Sequence, residues 1–183
     1  MEIVFIRHGK PTGSTNPKLT AKEFAWWVRD YNRSEVAESS KPPVQLKSQL
    51  SGYYVVSSNL RRAIHSASLC LAKDPDLTLR GIREIDIPRH KIPLVLRAKH
   101  WLFINRLLWL LGLNAKAESL KDAKVRAKNA ALEIVDIANK HEKVAVFGHG
   151  LMNRSIAKEL ESVGWQCTDK DSSYWGVIRL KSN

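Results

Sequence analysis

Two short apolar runs, one near each end of this 183-residue chain, end in the same way. Ile3-Val4-Phe5-Ile6 leads directly into Arg7-His8-Gly9, and Lys143-Val144-Ala145-Val146-Phe147 leads into Gly148-His149-Gly150. Brief runs rich in β-branched residues read as buried strands. Each histidine therefore falls where a strand stops and the chain turns. Glycine at such a place lets backbone come close to a ligand. The arginine offers a planar fork that suits phosphate oxygens. A histidine can act there as nucleophile, base or metal ligand.

The residues between these strands alternate in period. A loop over residues 10–19, rich in Pro, Gly, Ser, Thr and Asn, follows the first strand. Thr20-Ala21-Lys22-Glu23 is a capping box, and the helix it opens puts Phe24, Trp27, Val28 and Tyr31 on one face. Trp26-Trp27 reads as core and rim packing. Tyr53-Tyr54-Val55-Val56 reads as a second strand, and Ser57-Ser58-Asn59 as the cap of the helix after it. Residues 77–85 hold a short strand. Ser119-Leu120-Lys121-Asp122 forms another capping box, which starts a long amphipathic helix, and Ser173 to Leu180 reads as a last strand at the sheet edge. Strands alternating with helices predict a single domain over 1–183. Its fold class is α/β, a three-layer sandwich with a largely parallel central sheet flanked by helices.

Composition narrows the partners. A hydrophobic share of 44% and a charged share of 26% are those of a globular protein. Cys70 and Cys167 are too few and too far apart for a disulfide framework or a zinc site. No secretory signal is visible, so a reducing cytoplasm is the expected location. The formal net charge of +12 favours anionic partners. Its cations are spread along the chain, without zinc-finger spacing or an aromatic RNA-binding signature, which argues against dedicated nucleic-acid binding.

In an α/β sheet, ligands bind beyond the carboxyl ends of the strands. Three such ends here carry Arg7-His8, Ser57-Ser58 with Arg62 one turn on, and Gly148-His149-Gly150. One pocket would gather two arginines, two histidines and two helix amino termini, whose free N–H groups favour anions. In physical terms this is a phosphate site.

Four elements in order along the chain resemble the histidine phosphatase superfamily, which includes the phosphoglycerate mutases. They are Arg7-His8-Gly9, Ser58-Asn59-Leu60-Arg61-Arg62-Ala63, Ile82-Arg83-Glu84-Ile85 and Gly148-His149-Gly150. The resemblance implies that His8 attacks phosphorus and is phosphorylated, and that water then releases phosphate. It implies phosphate binding by Arg7 and Arg62, charge stabilisation by His149, and proton transfer by Glu84, which must be protonated in the first step. A covalent step divides one hard displacement into two. No metal or cofactor is called for, and no metal-ligand spacing is present. Asp86, two residues on, would point the same way as Glu84 from an extended chain and could replace it. Arg61 could likewise replace Arg62. His65, His90, His100 and His141 read as surface or packing residues.

Two departures bear on substrate. Lys10 stands where many relatives have glutamate, adding positive charge at the pocket mouth. Glu84 is followed by Ile85-Asp86-Ile87-Pro88 instead of the Arg-His-Tyr-Gly of the mutases. Net hydrolysis of phosphomonoesters is therefore favoured over a mutase-like phosphotransferase or a binding protein without catalysis. A phosphorylated small molecule is the expected substrate, with a phosphoprotein or a lipid-linked phosphate as other options. The segment 92–113 is apolar almost all round but too short and interrupted to span a bilayer. It reads as a helix over the sheet or part of a lid, with a peripheral membrane contact or a dimer contact as alternatives. Oligomeric state is left open.

Overall fold

The computed structural model describes residues 1–182. In chain order the elements are β1 (Glu2–Arg7), β2 (Lys18–Leu19), α1 (Ala21–Arg33), α2 (Val44–Gln49), β3 (Tyr54–Ser58), α3 (Arg61–Leu71) and β4 (Leu77–Leu79), then β5 (Leu96–Arg97), α4 (Ala98–Leu110), α5 (Leu120–His141), β6 (Lys143–Gly148), α6 (Gly150–Ser162), β7 (Gln166–Lys170) and β8 (Val177–Lys181). Six strands form one sheet in the order β4-β3-β6-β1-β8-β7, and β2 pairs with β5 in a separate ribbon. The first four are parallel; β8 runs antiparallel to β1, and β7, antiparallel to β8, shares the direction of the first four. The fold is therefore the expected α/β sandwich with a mostly parallel sheet.

Strand periodicity explains the layers. Ile3, Val4, Phe5 and Ile6 are all fully buried, and alternate residues face opposite sides of the sheet. Ile3 and Phe5 join Val144 and Val146 in a core under α5 and α6. Val4 and Ile6 join Ala145 and Phe147 in a core under α2 and α3, where Cys70 is also buried. Each buried Val, Ile or Phe among them contributes roughly 1.5–3 kcal/mol of burial. A stripe of alanines, Ala123, Ala127, Ala130, Ala131 and Ala138, forms the buried face of α5. A third cluster, Phe24, Val28 and Trp101, packs α1 against α4.

The helix starts come out in two ways. Thr20 and Glu23 form the full reciprocal box. Ser119 accepts from the Asp122 amide, but Asp122 is one methylene shorter than glutamate and bonds the Ser119 hydroxyl instead of closing the box. The Ser57-Ser58-Asn59 cap is corrected: Leu60 is the N-cap of α3, without a side-chain bond. The edge assignment of the last strand is also corrected. β8 lies between β1 and β7, and the outer strand is β7, whose polar sequence Gln-Cys-Thr-Asp-Lys carries no apolar run to betray it. No helix among the described residues is long and apolar enough to cross a membrane.

Candidate active site

β1, β3 and β6 are neighbours in parallel register, so their carboxyl ends deliver Arg7-His8, Ser58 and Gly148-His149 to one place. His8 is buried there, with its ring centroid 5.1 Å from that of His149. Its Nδ1 lies 2.7 Å from the Gly9 carbonyl oxygen. An oxygen only accepts, so Nδ1 carries the proton. The Arg62 Nε–H donates to His8 Nε2 at 3.2 Å, so Nε2 carries the lone pair. Two independent partners thus fix one neutral tautomer. Burial first, and the Arg62 and Arg7 cations after it, push the His8 pKa down to about 3. Burial and the same cations hold His149 well below the usual imidazole range. Both rings are neutral at physiological pH.

Of the two adjacent arginines, the buried one is Arg62; Arg61 points to solvent near Glu35. Besides His8, Arg62 donates to the Tyr31 carbonyl at 3.2 Å and lies 4.8 Å over the Tyr31 ring. Arg7 donates to the Ser172 carbonyl at 2.8 Å and its guanidinium rests 4.3 Å above the Tyr174 ring. Arg7 Nε and His149 Nδ1 are buried and make no hydrogen bond among the described residues. Such groups in a site call for a polar ligand atom. His149 Nε2 is 2.8 Å from Ser58 Oγ, which also accepts from the Leu60 amide at 3.3 Å just before α3. The His149 amide donates to Asn153 Oδ1, which packs so closely on Gly148 that no Cβ would fit there.

Glu84 stands on an irregular loop, and long-range contacts decide where it points. Arg126 of α5 is paired through Nε and Nη2 with Glu118, and donates through Nη1 to the carbonyls of Gly81 and Arg83 at 2.7 and 2.8 Å. Arg106 of α4 donates to the carbonyls of Ile85 and Asp86. Four carbonyls around Glu84 are thereby gripped by two helices. The Glu84 carboxylate accepts from the amides of Met152 at 3.1 Å and Leu151 at 3.4 Å. This corrects the expectation that both helix amino termini face the ligand, because the one at α6 is occupied by Glu84. Glu84 lines both the cleft and a neighbouring groove with Arg80 and Arg83, whereas Asp86 lines only that groove. Replacing Arg126 with methionine should release the loop and lower kcat by about ten- to a hundredfold through misplacement alone. KM should stay near wild type, and steady-state kinetics on the two proteins checks the split.

The resulting cleft has a volume of about 350 Å³. His8, Arg7, Arg62 and Glu84 form its floor, and Ser14, Thr15, Asn16, Lys99, Leu102 and Arg106 contribute to its walls. Those wall residues come from the loop over residues 10–19 and from the segment 92–113, although Lys10 is exposed and is not among them. Four cations face one carboxylate. Sequence reasoning missed Tyr174, Tyr31 and Trp27. Trp27 is a wall residue as well as a packing one, with its ring stacked on Phe24 and Tyr31 and its indole N–H donating to Thr15. Tyr174 reaches Arg7 because Trp175 takes a left-handed φ of 62° while its amide bonds the Arg7 carbonyl, a turn hidden inside an apparent strand. The Trp175 ring then lies against Gly9, where a Cβ would approach within 2.5 Å. Among the described residues no group of three His, Cys, Asp or Glu side chains is placed to hold a metal ion.

Similar architecture occurs in solved structures. The Mycobacterium tuberculosis open reading frame Rv3214 is 18% identical, with a TM-score of 0.61 over 98% of this chain and 95% of its own. The mycobacterial glucosyl-3-phosphoglycerate phosphatase Rv2419c, with inorganic phosphate, is 17% identical, with a TM-score of 0.58 over 87% and 78%. The Entamoeba histolytica phosphoserine phosphatase in complex with 3-phosphoglyceric acid is 18% identical, with a TM-score of 0.54 over 88% and 80%. No curated protein matches the sequence at a significant level. The family description that does match covers residues 44–170, a span that carries Arg62, Glu84 and His149 and ends just before Tyr174. A match over more than half of the residues shows that this chain belongs to the histidine phosphatase superfamily, branch 1.

Proposed function

We propose that the protein is a metal-independent phosphatase that hydrolyses phosphomonoesters through a phosphohistidine on His8. The observation that carries this reading is the position of the His8 lone pair. Nε2 is oriented by the Gly9 carbonyl through the opposite nitrogen and lies 3.2 Å from Arg62 Nε. A phosphoryl group drawn to Arg62 therefore arrives against the one nitrogen able to attack it. Arg62 Nε–H exchanges the imidazole lone pair for a phosphoryl oxygen, and the nucleophile is freed as the substrate lands.

Nε2 attacks phosphorus while the ester oxygen departs on the opposite side. Arg7 and Arg62 compensate the charge that spreads over the phosphoryl oxygens. Ser58 Oγ donates to His149 Nε2, and the His149 Nδ1–H donates to one of these oxygens. Glu84 gives its proton to the leaving oxygen, then takes one from the water that cleaves the phosphohistidine. Leu151 is the more distant of its two α6 donors, which leaves Oε2 the freer oxygen to face the substrate.

The cleft volume suits a small molecule. Similar structures named for phosphoserine and glucosyl-3-phosphoglycerate phosphatases support a phosphorylated small-molecule substrate. The test is to incubate the protein with radiolabelled phosphomonoesters, phosphoserine and phosphoglycerate among them, and quench in alkali, where phosphohistidine survives. Label that is stable to alkali, labile to acid and absent from the His8→Ala variant is the expected result. Phosphate release that persists in His8→Ala, with no label ever on wild type, would overturn the reading.

A further inference from the structure

Helix α4 has three faces with different fates. Ala98, Trp101, Asn105 and Trp109 are buried against the body of the protein. Lys99, Leu102 and Arg106 face the cleft. The third face, Phe103, Leu107 and Leu110, continues into Leu111 and Leu113 and is exposed, with Phe103 at 69% and Leu111 at 70%. The spacing of four and three residues sets these side chains in a single stripe. Buried anchors on one side of the helix mean that the exposed leucines and phenylalanine are held outward by packing.

The charge along this part of the sequence is one-sided. Between Asp86 and Glu118 the chain has no carboxylate, and it carries Arg89, Lys91, Arg97, Lys99, Arg106 and Lys116. All but Arg106 are exposed. Leu94 and Val95, also exposed, lie in the same stretch. A second copy of the chain is a poor occupant, since a two-fold contact sets the same cations against each other. Nucleic acid would engage the cations but offers nothing to a stripe of leucines. An anionic bilayer satisfies both, taking apolar side chains into its acyl boundary and basic ones at its headgroups.

We propose that the exposed face of α4 and the turn after it, Phe103 to Leu113, dock the protein on an anionic lipid surface. The helix lies in the interface plane and does not insert across it, being only 13 residues long. Because the same helix supplies a wall of the cleft, docking brings the active-site mouth close to the headgroup layer.

Co-sedimentation with vesicles tests this. Wild type and the variant Phe103→Ser/Leu107→Ser/Leu111→Ser are compared on phosphatidylcholine vesicles with and without phosphatidylserine, with circular dichroism verifying that the variant is folded. Wild type should partition onto the phosphatidylserine vesicles and not onto phosphatidylcholine alone, with salt weakening the binding. The variant should partition at least about tenfold less, the effect of removing three exposed apolar side chains from a lipid contact. Absence of partitioning by wild type overturns the proposal. Equal partitioning of wild type and folded variant also overturns it, since net charge alone would then account for binding. A dimer in sedimentation velocity that the substitutions disperse, without vesicle binding, assigns the face to a second copy instead.

Discussion

His8→Ala should leave a folded protein whose phosphate release is lower by about ten-thousand-fold or more, the scale seen when a covalent nucleophile is removed. Arg7, Arg62 and Glu84 remain, so the variant should still bind inorganic phosphate; calorimetry and a phosphate-release assay read the two properties separately. The same variant has a signature in acid. In the folded protein His8 stays neutral down to about pH 3, whereas an unfolded histidine takes up its proton near 6.5. Between those values the unfolded chain binds the extra proton, so folding stability contributed by the neutral ring is intact above 6.5 and is lost as pH falls towards 3. Each such histidine costs at most about 1.4 kcal/mol per pH unit in that window. Removing His8 should make the acid limb of stability shallower by about that slope, with His149 still supplying its own. Denaturant titrations at several pH values measure it.

Arg62→Met should lower kcat/KM by about a thousand- to a hundred-thousand-fold, the range for losing an arginine that compensates charge on a transferring phosphoryl group. Arg62 differs from a surface arginine in being buried and in donating directly to His8. Methionine keeps a buried apolar stem at this place on α3 and discards the fork. It also discards the cation that, after burial, most depresses the His8 pKa. His8 should therefore protonate at higher pH in the variant, and residual activity should fall off on the acid side at a higher pH than in wild type. Lysine at the same place restores a charge but not the Nε–H aimed at Nε2, so Arg62→Lys should recover the pH profile better than the rate. If both variants retain more than about a tenth of wild-type kcat/KM, Arg62 does not do what an arginine at a phosphoryl group does.

How far the sequence reveals this molecule depends on how local each determinant is. The runs at Ile3–Ile6 and Val144–Phe147 announce buried strands because every residue in them is apolar, and the parallel sheet follows from the helices between. His8, Arg62 and His149 are legible because each lies within a few residues of a strand end and next to a turn-forming or helix-starting neighbour. Choosing Glu84 over Asp86 as the residue facing the cleft is different. Nothing near either carboxylate decides it; Arg126, more than forty positions along, and Arg106 on another helix set the loop. Tyr174 is hidden for a similar reason. Its approach to Arg7 depends on a left-handed backbone at Trp175, a conformation that no tryptophan advertises. β7 lacks an apolar face because it is an outer strand whose residues are mostly exposed. Contacts that span the chain carry no local signature, and the site uses several.

The position of β1 has a consequence for how the protein is made. This strand leads directly into His8, yet its partners in the sheet are β6 and β8, the latter at residues 177–181. A ribosome adding about 5–20 residues per second leaves β1 without either neighbour for several seconds to half a minute. During that interval four apolar residues that are destined for complete burial offer two open strand edges. Synthesis thus exposes this apolar segment well before the strands that shield it. Slowing elongation should raise the demand for chaperone protection of this strand, and the catalytic pocket can close only once the polypeptide from Gly176 onward has emerged and threaded beside it.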